Sequence, residues 1–151
     1  MSTARADEIA VVALGGVVGA LARAGISTAV PHHDAAAWPW ATFVTNLLGC
    51  LVLGVVLDWV DNRHAIWKAE HPWRSRLMRP FLAAGVLGGF TTFSTFSVET
   101  FGLLRAHAVV PGLAYAVSSV LLGVACVVLG RAVGAAVFGP SALDLQGDED
   151  L

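Results

Sequence analysis

The 151-residue chain is 56% hydrophobic and only 13% charged, with a formal net charge of −2 and a mean hydropathy of +0.72. Soluble domains carry about 25% charged residues, whereas here the apolar residues gather into four runs of about 20, enough to cross about 30 Å of hydrocarbon. These quantities exclude a water-soluble globular domain, the lack of a basic patch argues against a nucleic-acid partner, and a lipid bilayer is the partner the composition demands.

At the N-terminus, Arg5, an apolar run from Ile9 and Ala20-Leu21-Ala22 imitate a cleaved signal. Asp7 and Glu8 directly precede that run and apolar character resumes beyond Arg23, so a retained first helix is expected from about Glu8 to Val30. Gly15 and Gly19, with Gly16 and Ala20 beside them, are pairs of small residues four apart, a spacing that lets helix backbones approach closely. Arg23 reads equally as an anchor reaching the headgroups or as a vestibule charge. The loop that follows holds Pro31, His32, His33 and Asp34, with no third metal ligand evident.

Trp38 and Trp40 flank Pro39 where an interfacial aromatic belt is expected. They introduce a second span at about 41–60. Thr42 and Asn46 share one face of it, and Thr45 and Gly49 share a neighbouring one. Buried in a bilayer, Asn46 makes either an interhelical hydrogen bond or part of a polar pathway. Asp61 to Arg79 is the long polar connection, with Trp67 and Trp73 among its cations, as suits an interfacial and partly helical segment.

The third span, about 80–106, contains Gly88-Gly89-Phe90-Thr91-Thr92-Phe93-Ser94-Thr95-Phe96. Adjacent glycines weaken helix by roughly 0.8–1 kcal/mol each relative to alanine, which predicts a break within Gly88 to Thr91. Four hydroxyl residues then alternate with aromatics, a composition suited to protein or a wet cavity rather than lipid. Phe93 and Phe96 fall on one helix face, and Phe90 joins that row if helix continues upstream. Thr92 and Thr95 are one turn apart, and Glu99 extends the same face, either inside a polar network or close to the interface. The fourth span, about 112–138, carries Tyr115 and Ser119 with Gly123 next on their face, and a packing pair at Gly130 and Gly134. Residues 1–140 therefore read as one four-helix membrane domain, followed by an acidic tail (141–151) expected to be disordered.

Cys50 and Cys126 sit singly in different spans without a CxxC spacing, so they read as small buried hydrophobes rather than redox or metal groups. With four spans, both termini and the long connection share one side. That side holds Arg5, Arg63, Lys68, Arg74, Arg76, Arg79 and Arg131 against Arg23 and Arg105 opposite, which points to termini in the cytoplasm. Signatures such as HExxH or GxSxG are lacking, so the chain is not read as an enzyme. The spans instead offer neutral donors (Asn46, Thr92, Ser94, Thr95, Tyr115, Ser119) and phenyl rings whose edges are the positive part of their quadrupole. That chemistry suits a small anion, which must shed hydration without being held too tightly to leave.

Gly15-Gly16 with Gly19-Ala20 and Arg23, Thr42 to Asn46 with Gly49, and Gly88 to Phe96 with Glu99 together closely resemble the Fluc (CrcB-type) fluoride channels. The resemblance implies an all-α integral membrane fold of four transmembrane helices, broken in the third, assembled as an antiparallel dual-topology dimer in the cell's inner (plasma) membrane. It implies passive export of fluoride from the cytoplasm, relieving fluoride toxicity, around a structural Na⁺ that is not transported. By the same resemblance, Asn46, Thr92, Thr95, Tyr115 and Ser119 would line the fluoride pore, with Phe93 and Phe96 presenting ring edges. Gly88 and Thr91 would offer backbone carbonyls to Na⁺, Arg23 would stand in the vestibule and Glu99 in the polar network. Two features depart from the family's pattern. Gly123 replaces a hydroxyl on the fourth-span track, and the charge bias is strong for dual topology, so the partner is either a second copy or an oppositely inserted homologue. The competing reading is a small proton-coupled multidrug exporter. Such exporters need a carboxylate embedded in the first span, and here that span has only Glu8, at its start.

Overall fold

The structure, a computed structural model, describes residues 3–29 and 37–139. The histidine loop at 32–33 and the acidic tail at 141–151 lie outside the described residues. Every described element is helical: α1 (Thr3–Ala29), α2 (Trp40–Glu70), α3 (Pro72–Arg79), a π-helical stretch (Pro80–Leu87), α4 (Gly88–Phe90), α5 (Phe93–Arg105) and α6 (Val109–Phe138). Four segments are long and apolar enough to span a bilayer: Arg5–Ala29, Trp40–His64, Pro72–Arg105 and Val109–Phe138. The chain is a multi-pass membrane protein.

While Val60, Leu103 and Tyr115 are buried, many of its large apolar side chains point outward, Leu21, Val98 and Val110 among them. Lipid tails are as apolar as these residues, so burying them between helices gains little, and close backbone packing has to hold the helices together. Glycine supplies that closeness. A Cβ on Gly19 would collide with the Val86 carbonyl oxygen and lie 2.7 Å from the Phe90 nitrogen; one on Gly15 would lie 2.9 Å from the Val86 nitrogen. The α1 glycine pair thus seats the π-helical stretch and α4. A second crossing joins α2 to α6, where a Cβ on Gly54 would come within 2.8 Å of the Arg131 nitrogen and Gly130 faces Leu51 and Gly54.

The third span changes partner partway. Its π-helical and α4 portion packs on α1, while α5 packs on α6. Pro80, lacking an N–H, begins the π-helical stretch. The interruption falls at Thr91 (φ −79°, ψ 158°) and Thr92 (φ −146°, ψ 115°), at the C-terminal end of the predicted break and not at its glycines. Gly88 is an ordinary helical residue at φ −64°, ψ −34°. Gly89 is needed for room instead, because a Cβ there would strike the Gly16 carbonyl of α1. Phe90 consequently sits before the break and does not continue the row of Phe93 and Phe96.

Polar residues tie down the helix ends. At the α5–α6 turn, the Ala108 N–H donates to the Leu103 carbonyl (3.0 Å) and the His107 N–H to Leu104 (3.1 Å), with His107 in the left-handed region at φ 59°. At the other end of α6, fully buried Asp58 of α2 lies against Gly134, where a Cβ would come within 2.7 Å of the Asp58 Cβ. Asn62 Nδ2 donates both to Asp58 Oδ2 (3.2 Å) and to the Gly139 carbonyl that follows α6 (2.7 Å). Asp61 stands 3.9 Å from Arg79 and 4.0 Å from Arg131, linking the third span to this end of the α2–α6 pair.

Candidate functional site

Two extended residues inside a membrane helix leave backbone groups without helical partners, and each such group is costly away from water. Most of these are re-paired by named side chains. The Thr92 N–H, which a continuous helix would give to the Gly88 carbonyl, donates instead to Asn46 Oδ1 (2.9 Å), and Asn46 Nδ2 donates back to the Thr92 carbonyl (3.2 Å). The Asn46 amide therefore acts as a one-residue strand partner on α2. It can reach the break because Gly49, on the neighbouring face of α2, has no Cβ to collide with the Thr91 methyl group. Thr92 Oγ1 caps α5 by accepting from the Thr95 N–H (3.1 Å), and it donates to Thr95 Oγ1 (2.9 Å). Arg23 Nε donates to the Gly89 carbonyl at 3.3 Å, so α1 contributes a cation to the same break. The Gly88 carbonyl has lost its helical donor to Asn46.

Beside the break is a cavity of about 320 Å³. Gly88, Thr91 and Thr92 form its wall at the break, Asn46 and Cys50 line it from α2, Phe93 and Phe96 from α5, and Ser119 from α6. Phe93 is 81% exposed at the mouth, its ring centroid 5.7 Å from that of Phe96, and Phe96 in turn lies 5.4 Å from Tyr115. The Ser119 hydroxyl is buried and has no hydrogen-bond partner among the described residues. Other hydroxyls on the third span are used locally: Thr91 Oγ1 donates to the Leu87 carbonyl, Ser97 Oγ to Phe93 and Thr100 Oγ1 to Phe96. The donors left to face the cavity are thus fewer than the composition suggests. They are chiefly the Ser119 O–H and the second N–H of Asn46, since an amide nitrogen carries two hydrogens.

Glu99 belongs to a network behind the phenylalanines. Thr42 Oγ1 donates to its Oε1 (2.8 Å) and the Tyr115 hydroxyl to its Oε2 (2.9 Å), so both carboxylate oxygens accept. Tyr115 is fully buried, and its ring lies 5.5 Å from Trp38, which meets it edge-on. The α2 residues Thr42 and Asn46, one turn apart, therefore reach two different places on the third span: Thr42 holds the carboxylate and Asn46 holds the break. Sequence reasoning placed them on one face but missed that Thr42 serves Glu99. It also left Cys50 out of the site, although Cys50 follows Asn46 by one turn and that spacing would have found it.

The arrangement joins a broken helix, a cavity with neutral donors and phenyl rings, and a carboxylate whose oxygens are occupied by hydroxyl donors. It can host a small anion, since the nearby negative charge is held by its own partners. A family model described as "CrcB-like protein, Camphor Resistance (CrcB)" matches residues 10–131. The fluoride-specific ion channel FluC of Chloroflexus aurantiacus is 39% identical over 85% of this chain and 95% of its own length. The proteins of the same name from Hyphomonas neptunium and Thermus thermophilus are each 41% identical, over 84% and 88% of this chain and 94% and 99% of their own lengths. With its helices, its broken third span and these matches along most of its length, the chain belongs to the CrcB family.

Proposed function

We propose that the protein is a fluoride channel that lets fluoride leave the cytoplasm passively across the plasma membrane. The observation that carries this reading is the cavity at the break, where Asn46 and Ser119 offer neutral donors beside the Phe93 and Phe96 rings. Neutral donors replace part of an anion's hydration without the deep trap that a fixed cation would create. Relatives about 40% identical that bear the name fluoride-specific ion channel support the choice of anion. Fluoride approaching Phe93 and Phe96 meets ring edges, then the spare Asn46 N–H and the Ser119 hydroxyl. Thr95 and Tyr115 hold the wall behind: Thr95 through Thr92, Tyr115 through Glu99.

The chain works, in this proposal, as an antiparallel dimer with a second copy. Support comes from the cavity mouth, where Phe93 stands exposed and the helix faces around it are apolar. Expressed alone in a bacterium lacking its own fluoride exporter, the protein is expected to restore growth on millimolar fluoride. Growth restored only when a second homologue is co-expressed would replace the homodimer by a heterodimer, and no restoration in either case would reject fluoride export.

The Gly88 and Thr91 carbonyls fit a structural Na⁺. The break deprives the first of its helical donor, and hard cations accept carbonyl oxygen ligands. Such an ion would supply structural positive charge beside the interrupted backbone. Arg23, on the Gly89 carbonyl, belongs to the same electrostatic arrangement. Exchange of Na⁺ for N-methylglucamine throughout purification is expected to lower the thermal midpoint of the detergent-solubilised protein. An unchanged midpoint rejects the sodium site.

A further inference from the structure

Ser119 and Gly123 are one turn apart on the same face of α6, so a polar track rising along that face from Ser119 loses its next side chain at Gly123. Gly123 is buried, and a Cβ built on it would stand 3.5 Å from the Cys50 Sγ of α2. Cys50 is also one turn beyond Asn46 and lines the same cavity as Asn46 and Ser119. The place left by the missing α6 side chain is therefore faced by a thiol from the opposite helix. We propose that Cys50 supplies the pathway donor that α6 lacks at Gly123, so that an anion passes from Asn46 and Ser119 to the Cys50 S–H. This inference rests on the fluoride reading and deepens it.

The neighbouring Ser119 raises the thiol above a gap-filling hydrophobe. The buried Ser119 hydroxyl, without a partner among the described residues, points to a polar ligand in this cavity. Cys50 shares the cavity wall with the polar Asn46, Thr91, Thr92 and Ser119 and with apolar side chains such as Leu53, Phe96 and Val120, so a donor here stands in a largely apolar passage. A thiol is a weak donor, which suits a station that an anion must leave as readily as it enters. The 3.5 Å spacing is ordinary van der Waals contact, so a serine at Gly123 is accommodated, more easily still when Cys50 is shortened to alanine.

The test compares fluoride efflux from liposomes for Cys50→Ser, Cys50→Ala, Cys50→Val and the double variant Cys50→Ala/Gly123→Ser. Cys50→Ser is expected to keep wild-type flux, while Cys50→Ala and Cys50→Val lose about tenfold, the scale of one neutral donor. The double variant is expected to recover most of the loss, because its hydroxyl returns the donor from the other helix. Wild-type flux in both Cys50→Ala and Cys50→Val overturns the proposal, as does recovery of flux by valine but not by serine, which is the pattern of pure packing. A second readout does not depend on fluoride transport. In Cys126→Ala protein, methyl methanethiosulfonate is expected to modify Cys50, since the reaction needs thiolate and hence contact with water. A Cys50 that stays unmodified in folded protein overturns the proposal even if flux is normal. Absence of flux in the wild type would instead reject the fluoride reading, leaving thiol modification to decide whether Cys50 faces a wet pathway.

Discussion

Asn46→Asp is expected to reduce fluoride flux by about a thousandfold, to the level of empty vesicles. Two effects combine. The substitution turns the Nδ2 donor, 3.2 Å from the Thr92 carbonyl, into a second acceptor, so two oxygens face each other where a hydrogen bond closed the break. It also places a negative charge beside an anion pathway, and two like charges about 4 Å apart at an effective dielectric of about 20 repel by about 4 kcal/mol. At about 1.4 kcal/mol per factor of ten, that alone is about three orders of magnitude. The Thr92 N–H still finds an acceptor in the new carboxylate, so the fold should survive. Size-exclusion elution matching the wild type, together with lost flux, is the expected pair of results. Wild-type flux in this variant would remove Asn46 from the pathway.

Gly19→Val is expected to abolish the fold rather than the transport chemistry. The atoms its Cβ would meet are the Val86 carbonyl, the Phe90 nitrogen at 2.7 Å and the Val86 carbonyl carbon at 2.9 Å, all backbone. Backbone held in a helix cannot rotate aside as a side chain can, so α1 must separate from the third span. Overpacking of this kind costs about 3 kcal/mol or more when nothing can yield, a large share of the stability of a small protein. The informative contrast is Gly16→Ala, whose Cβ meets nothing within 4 Å. Monodisperse protein recovered in detergent should fall sharply for Gly19→Val and stay near wild type for Gly16→Ala. Equal recovery of the two would show that this crossing does not hold the helices together.

These two residues also mark what the sequence made legible. The Gly15–Gly19 spacing announced a close crossing on α1, because small residues four apart must share a face. Which partner they meet, the π-helical stretch and α4, depends on tertiary arrangement and is written in no local pattern. The glycines announced an interruption of the third span between Gly88 and Thr91, and it opens at the last of these residues rather than at the glycines themselves. Glycine propensity is only about 1 kcal/mol per residue, and here Gly89 is kept for its lack of volume against Gly16, while Asn46 stabilises extended backbone at Thr92. The identity of Asn46 was legible as a buried amide, but its two-way bond to Thr92 was not, since it joins positions 46 residues apart. In the same way, Glu99 could be assigned to a network, whereas Thr42 and Tyr115 as its two donors emerge only from the packing of three helices.

Whether the cavity at the break conducts fluoride is decided by ion efflux from liposomes loaded in parallel with fluoride and with chloride. Rapid fluoride release is expected from vesicles containing the wild-type protein, with chloride release no faster than from empty vesicles and with Asn46→Asp silent for both ions. Fluoride release indistinguishable from that of empty vesicles, or chloride released as fast as fluoride, would contradict fluoride-selective conduction through this cavity.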